Sequence, residues 1–124
     1  MIRSDASHSL AQIAAKSLGR IFDAPAVVMA EKAGKLWPAG ASGGAKLSVA
    51  DQEAAHWALA NDKPTRAETY PFDQAGCDFW PMQARAKRRL VLGVKLIGRA
   101  EGRPATPDRY VELVAGYLAV GSDS

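Results

Sequence analysis

Cysteine is nearly missing from this chain: among 124 residues only Cys77 carries a thiol. A lone cysteine excludes an intramolecular disulfide and any multi-cysteine metal site, and it fits a reducing, cytosolic compartment. Long apolar runs are missing as well. Runs such as Ala24 to Ala30 and Leu90 to Val94 fall far short of the ~20 residues needed to cross a bilayer. The opening Met1, Ile2, Arg3, Ser4, Asp5, Ala6 leads into no apolar h-region, which argues against a secretory signal. Charge of one sign is not concentrated overall. Sixteen basic residues against thirteen acidic ones give +3, too small an excess to argue for nucleic acid.

What is present is the composition of one folded domain. Apolar residues make up 48% and charged residues 23%, so enough surface can be buried to offset chain entropy and disorder of the whole is excluded. Both ends are polar and small, as where a domain is joined to a longer chain. We read 1–8 and 121–124 as linkers around a domain at 9–120.

Ser9 with Gln12 forms a capping-box pattern, followed by Leu10, Ile13, Ala14, Leu18, Ile21 and Phe22 at helical spacing, which predicts an amphipathic helix ending before Pro25. Ala26 to Glu31 and Leu36 to Ala39 flank a turn at Gly34 and predict a hairpin. Pro38 suits a sheet edge but not a central strand. Ser48 ahead of Asp51, Gln52 and Glu53 predicts a capped second helix to about Asn61, burying Ala50, Ala54, Trp57 and Ala58. Lys63 to Asp78 reads as an irregular connection. Cys77 to Gln83 and Leu90 to Ile97 read as a second hairpin, with the latter strand, apolar on both faces apart from Lys95, at the centre of the sheet. Thr106 and Pro107 open a last helix with Tyr110, Leu113, Val114, Tyr117 and Leu118 as its apolar stripe. The expected class is α+β, an α/β sandwich: a central antiparallel sheet with the second helix on one face and the terminal helices on the other.

The run Ala26 to Met29, the loop into Ser48, the stretch Glu53 to Leu59 with Trp57, then Lys63, Pro64 and Arg66, and Phe79, Trp80, Pro81, Met82 ahead of Leu90 to Leu96 carry a resemblance. Over roughly residues 9 to 119 the chain resembles the GAF-like domain of the Kdp potassium-responsive sensor histidine kinases. Family members carry a Gly-Arg-Gly-Thr-Asp-Thr-like segment where this chain has Thr65, Arg66, Ala67, Glu68, Thr69. The resemblance implies a regulatory, sensory module on the cytoplasmic face of the inner membrane, soluble as a fragment. It would lie between the membrane part and the kinase core of a two-component sensor for potassium or osmotic stress, with both as its partners. The alternative is a small-molecule anion receptor GAF domain of another signalling protein.

No catalytic residue, metal or cofactor is expected in the chain itself. A methionine-sulfoxide reductase needs two thiols, Cys77 lacks the neighbouring histidine of bilin attachment, and neither His8 nor His56 sits in a phosphoacceptor sequence. Any ligand is expected to be a small or planar anion under the Lys63 to Cys77 connection. There Arg66 would supply a planar pair of donors, and Tyr70 and Trp80 flat walls. The competing arrangement pairs Arg66 with Glu68 or Asp78 and closes the cavity. The basic turn Arg85, Lys87, Arg88, Arg89 is read as a solvated tip, with an anion site or anionic lipid as alternatives. Weak homodimerisation is expected through Leu10, Ile13, Leu18, Tyr110, Leu113, Tyr117 and Leu118.

Overall fold

The computed structural model describes residues 2–67, 74–83, 89–96 and 107–121, with side chains described for 10–67, 74–82, 89–96 and 107–116. The elements are α1 (Ile2–Phe22), β1 (Ala26–Lys32), β2 (Lys35–Ser42), α2 (Val49–Asn61), β3 (Asp78–Gln83), β4 (Arg89–Val94) and α3 (Pro107–Gly121). All strand pairs are antiparallel, in the order β2-β1-β4-β3. The protein is therefore a mixed α+β fold.

The two-residue side-chain alternation of the strands divides the core into two layers. On one face Val28, Trp80, Leu90, Leu92 and Val94 pack against Ala14, Leu18 and Phe22 of α1 and Val111 and Val114 of α3. On the other, Val27, Met29, Phe79 and Val91 pack against Ala54, Ala55, Ala58 and Leu59 of α2. Strand β4 is central and buried from Leu90 to Val94, as its apolar pattern requires. Both edge strands contain a proline, Pro38 in β2 and Pro81 in β3, each removing a backbone donor where an extra strand would otherwise add.

Three details depart from the sequence reading. Helix α1 begins at Ile2 rather than at Ser9, and the Gln12 amide is spent elsewhere. Its Nε2 donates to the Ala41 carbonyl at 2.7 Å while its Oε1 accepts from Ala41 N–H at 3.1 Å. Gln12 thus pairs with the edge strand as a backbone unit would.

Strand β2 continues to Ser42 rather than ending at Ala39. A bulge where Val28 faces Gly40 and Met29 faces Pro38 leaves Ala39 extra, which re-aims the strand toward α1. At Gly40 the helix comes so close that an added Cβ would lie 2.5 Å from the Ala11 carbonyl carbon and oxygen.

Helix α2 buries Asp51, Ala54, Ala55, Ala58 and Leu59, with Trp57 38% exposed. The inward turn of Asp51 in the capping box rotates the buried stripe onto positions 51, 54, 55, 58 and 59 and carries Trp57 outward.

Candidate functional site

Helix α2 starts on a reciprocal cap: Ser48 Oγ accepts from Asp51 N–H at 3.0 Å, while Ser48 N–H and Oγ–H both donate to Asp51 Oδ2 at 3.0 Å. This is a capping box with aspartate as its acid. The other carboxylate oxygen, Oδ1, accepts Gly76 N–H at 2.7 Å and Cys77 N–H at 3.1 Å. One buried carboxylate therefore ends the 63–78 connection and begins a helix at once.

On the far side of that connection Thr65 bridges to Phe79, extending the β3 edge by one pair: Thr65 N–H donates to the Phe79 carbonyl at 2.9 Å and Phe79 N–H to the Thr65 carbonyl at 3.0 Å. Ala67 N–H donates to Asp78 Oδ1 at 2.9 Å. Asp78 is buried beside Cys77.

Burial foremost, then the Asp51 carboxylate and more weakly Asp78, pushes the Cys77 thiol up to about 12 against the partial relief of Lys95. A thiol held protonated is not a nucleophile at neutral pH. Both oxygens of Asp51 are occupied by backbone and hydroxyl donors, so this carboxylate holds the backbone in place.

Of the residues expected to form a pocket, Arg66 and Trp80 lie within the described residues. Arg66 is exposed. Trp80 is 7% exposed, its ring lies in the α1 and α3 layer, and its Nε1–H donates to Asp108 Oδ1 at 2.6 Å in the first turn of α3. Tyr70 and Glu68 lie outside the described residues, as do Arg85, Lys87 and Arg88. Arg89 belongs to a strand rather than to the turn, and its side chain is 43% exposed. It opens β4, donates from Nη2 to the Leu59 carbonyl near the end of α2, and lies 3.7 Å from Glu31.

Of the expected dimer stripe, Leu18 is fully buried and Leu10 is partly buried against the core, whereas Ile13, Tyr110 and Leu113 face outward, joined by Ile21. The side chains of Tyr117 and Leu118 lie outside the described set. Phe22 meets Tyr110 edge-to-face at 5.9 Å, fixing the end of α1 on the start of α3.

An open groove of about 490 Å³ lies at the opposite edge of the sheet from Arg66, between the end of α1 and the end of β2, with Lys16, Arg20, Asp23, Ser42 and Gly43 on its walls. Sequence reasoning missed it because it joins residues from three separate elements. The Asp51 fork was missed for the same reason, although an acid at the third position after an N-cap serine was its visible half. Among the described residues no helix is long and apolar enough to cross a membrane, and no three His, Cys, Asp or Glu side chains are grouped to hold a metal ion. The chain matches no protein-family model, no curated protein and no solved structure.

Proposed function

We propose that the chain is the regulatory GAF-like module of a Kdp-type membrane-bound sensor histidine kinase, relaying a potassium or osmotic signal to a kinase core outside it. The observation that carries this reading is the layering. Helix α2 covers one face of the sheet, and the two terminal helices lie together on the other. Movement of the sheet then reaches both chain ends through one helical layer, and Trp80, hydrogen-bonded to Asp108, ties that layer to β3. Outward-facing Ile13, Tyr110 and Leu113 support weak pairing of two modules along it. The test replaces the GAF-like domain of a Kdp-type sensor by residues 1–124 and follows autophosphorylation under potassium limitation. Retained induction supports the reading; a folded chimaera without induction removes it.

A second reading, a small-anion receptor, has one observation in its favour. Thr65 Oγ1, in the same connection as Arg66, is buried and has no hydrogen-bond partner among the described residues, a cost that a bound acceptor would relieve. Anion-dependent thermal stabilisation that disappears in Arg66→Ala would favour the receptor over the relay.

A further inference from the structure

The groove between the end of α1 and the end of β2 has a fixed floor and an unpaired rim. Ser42 Oγ–H donates to the Ala15 carbonyl at 2.8 Å, Ala24 N–H to the Gly19 carbonyl at 3.2 Å, and Lys95 N–H to the Pro25 carbonyl at 2.9 Å. Gly19 lies so close to β2 that an added Cβ would be 2.6 Å from Ser42 Oγ. The three charged residues on the walls, Lys16, Arg20 and Asp23, are exposed and form no ion pair among the described residues. Lys16 and Arg20 are four positions apart on α1, where like charges meet across one turn and destabilise a helix. An anion between them would relieve that repulsion. Asp23 and the carbonyl end of α1, the negative pole of the helix dipole, would repel the same anion.

We propose that this groove binds a small zwitterion of the amino-acid class, its carboxylate between Lys16 and Arg20 and its ammonium at Asp23. Such a ligand uses all three charges, whereas a plain anion meets Asp23 and a plain cation meets the two basic side chains. The ammonium also gains from the C-terminal carbonyls of α1. With a volume of about 490 Å³ the groove has the size of a small-molecule site, and its hydrogen-bonded floor lowers the ordering cost of binding. The groove and Arg66 lie at opposite edges of the sheet, so this ligand is independent of both readings above.

The experiment follows the backbone amides of the full chain by NMR during titration with β-alanine, propionate and n-propylamine, at neutral pH and constant ionic strength. These probes share a three-carbon skeleton and carry both charges, the anion alone and the cation alone. The amides of Ala24, Ser42 and Gly43 are expected to respond to β-alanine at the lowest concentration, since each exposed ion pair is worth up to about five-fold in affinity. In Asp23→Asn the advantage of β-alanine over propionate should vanish; asparagine suits the left-handed φ of 52° at this position, so the fold is kept. Lys16→Gln/Arg20→Gln should weaken both carboxylates and leave n-propylamine bound as well or better. No shift of these amides with any probe overturns the proposal, as does affinity for propionate equal to or above that for β-alanine in the wild type. So does an unchanged preference for β-alanine in Asp23→Asn, which would put its ammonium elsewhere.

Discussion

The Asp51 carboxylate, in the first turn of α2, accepts the backbone N–H of Cys77 just ahead of β3, 26 positions further along the chain. The same oxygen accepts Gly76 N–H, while its twin caps α2 through Ser48. A helix start and a strand start are thereby fixed to each other by one side chain.

Asp51→Ala should therefore cost more than loss of a cap. Removing Ser48 Oγ costs about 1 kcal/mol, whereas removing the Asp51 carboxylate also leaves the part-buried Gly76 N–H and the buried Cys77 N–H without their acceptor, for about 3 kcal/mol in total. Urea unfolding of Ser48→Ala and Asp51→Ala compares them; equal losses would mean that the contacts to Gly76 and Cys77 add nothing.

Cys77 should make stability fall in alkali. Its folded value of about 12 lies above the unfolded value of 9.0, so between these two the unfolded chain releases a proton that the folded chain keeps. Its contribution is whole below pH 9 and is lost as pH rises toward 12. Thermal melts across that range should show a decline that is shallower in Cys77→Ala. At pH 8 a thiol reagent should label the protein only as fast as it opens.

Gly40→Ala should be among the most damaging single changes, because the new methyl meets backbone of Ala11 and Gln12 rather than a movable side chain. Overpacking of this kind costs roughly 1–3 kcal/mol. Gln12→Ala, which frees the Ala41 N–H and carbonyl, should cost about 1–2 kcal/mol. The double variant should lose less than the sum, since both act on the seating of α1 on β2; denaturant titration of the four proteins measures the coupling.

Ala33 holds φ at 54° and Gly34 at 78° in the β1–β2 turn, a pair of left-handed residues for which Asn-Gly is the favoured sequence. Ala33→Asn should stabilise the protein by about 0.5–1 kcal/mol, read as a rise in the urea midpoint at unchanged slope.

Pairing of two modules through the helical layer predicts concentration-dependent sedimentation. Leu113 is 70% exposed, so Leu113→Glu should abolish the association without loss of fold, while a strict monomer at high concentration in the wild type would remove the interface. Leu18, fully buried, should affect stability and not association.

By itself the sequence determined the elements whose signals are local. The Ser48 cap with Asp51 started α2, Pro38 kept β2 at the edge, and the apolar run of β4 demanded a place covered on both faces. These follow from hydrogen-bonding capacity and burial, which each stretch carries with it. Only the tertiary structure decided what those residues meet. Gln12 reads as a capping partner until α1 lies against Ala41, Trp80 reads as a pocket wall until Asp108 takes its N–H, and Trp57 reads as core until Asp51 turns inward. In each case a polar group has several partners of similar local strength, and the one realised is the one that packing brings within about 3 Å. The meeting of the Lys32–Lys35 turn with the start of β4 has the same origin, because strand order and register, not chain distance, set which strand ends lie together.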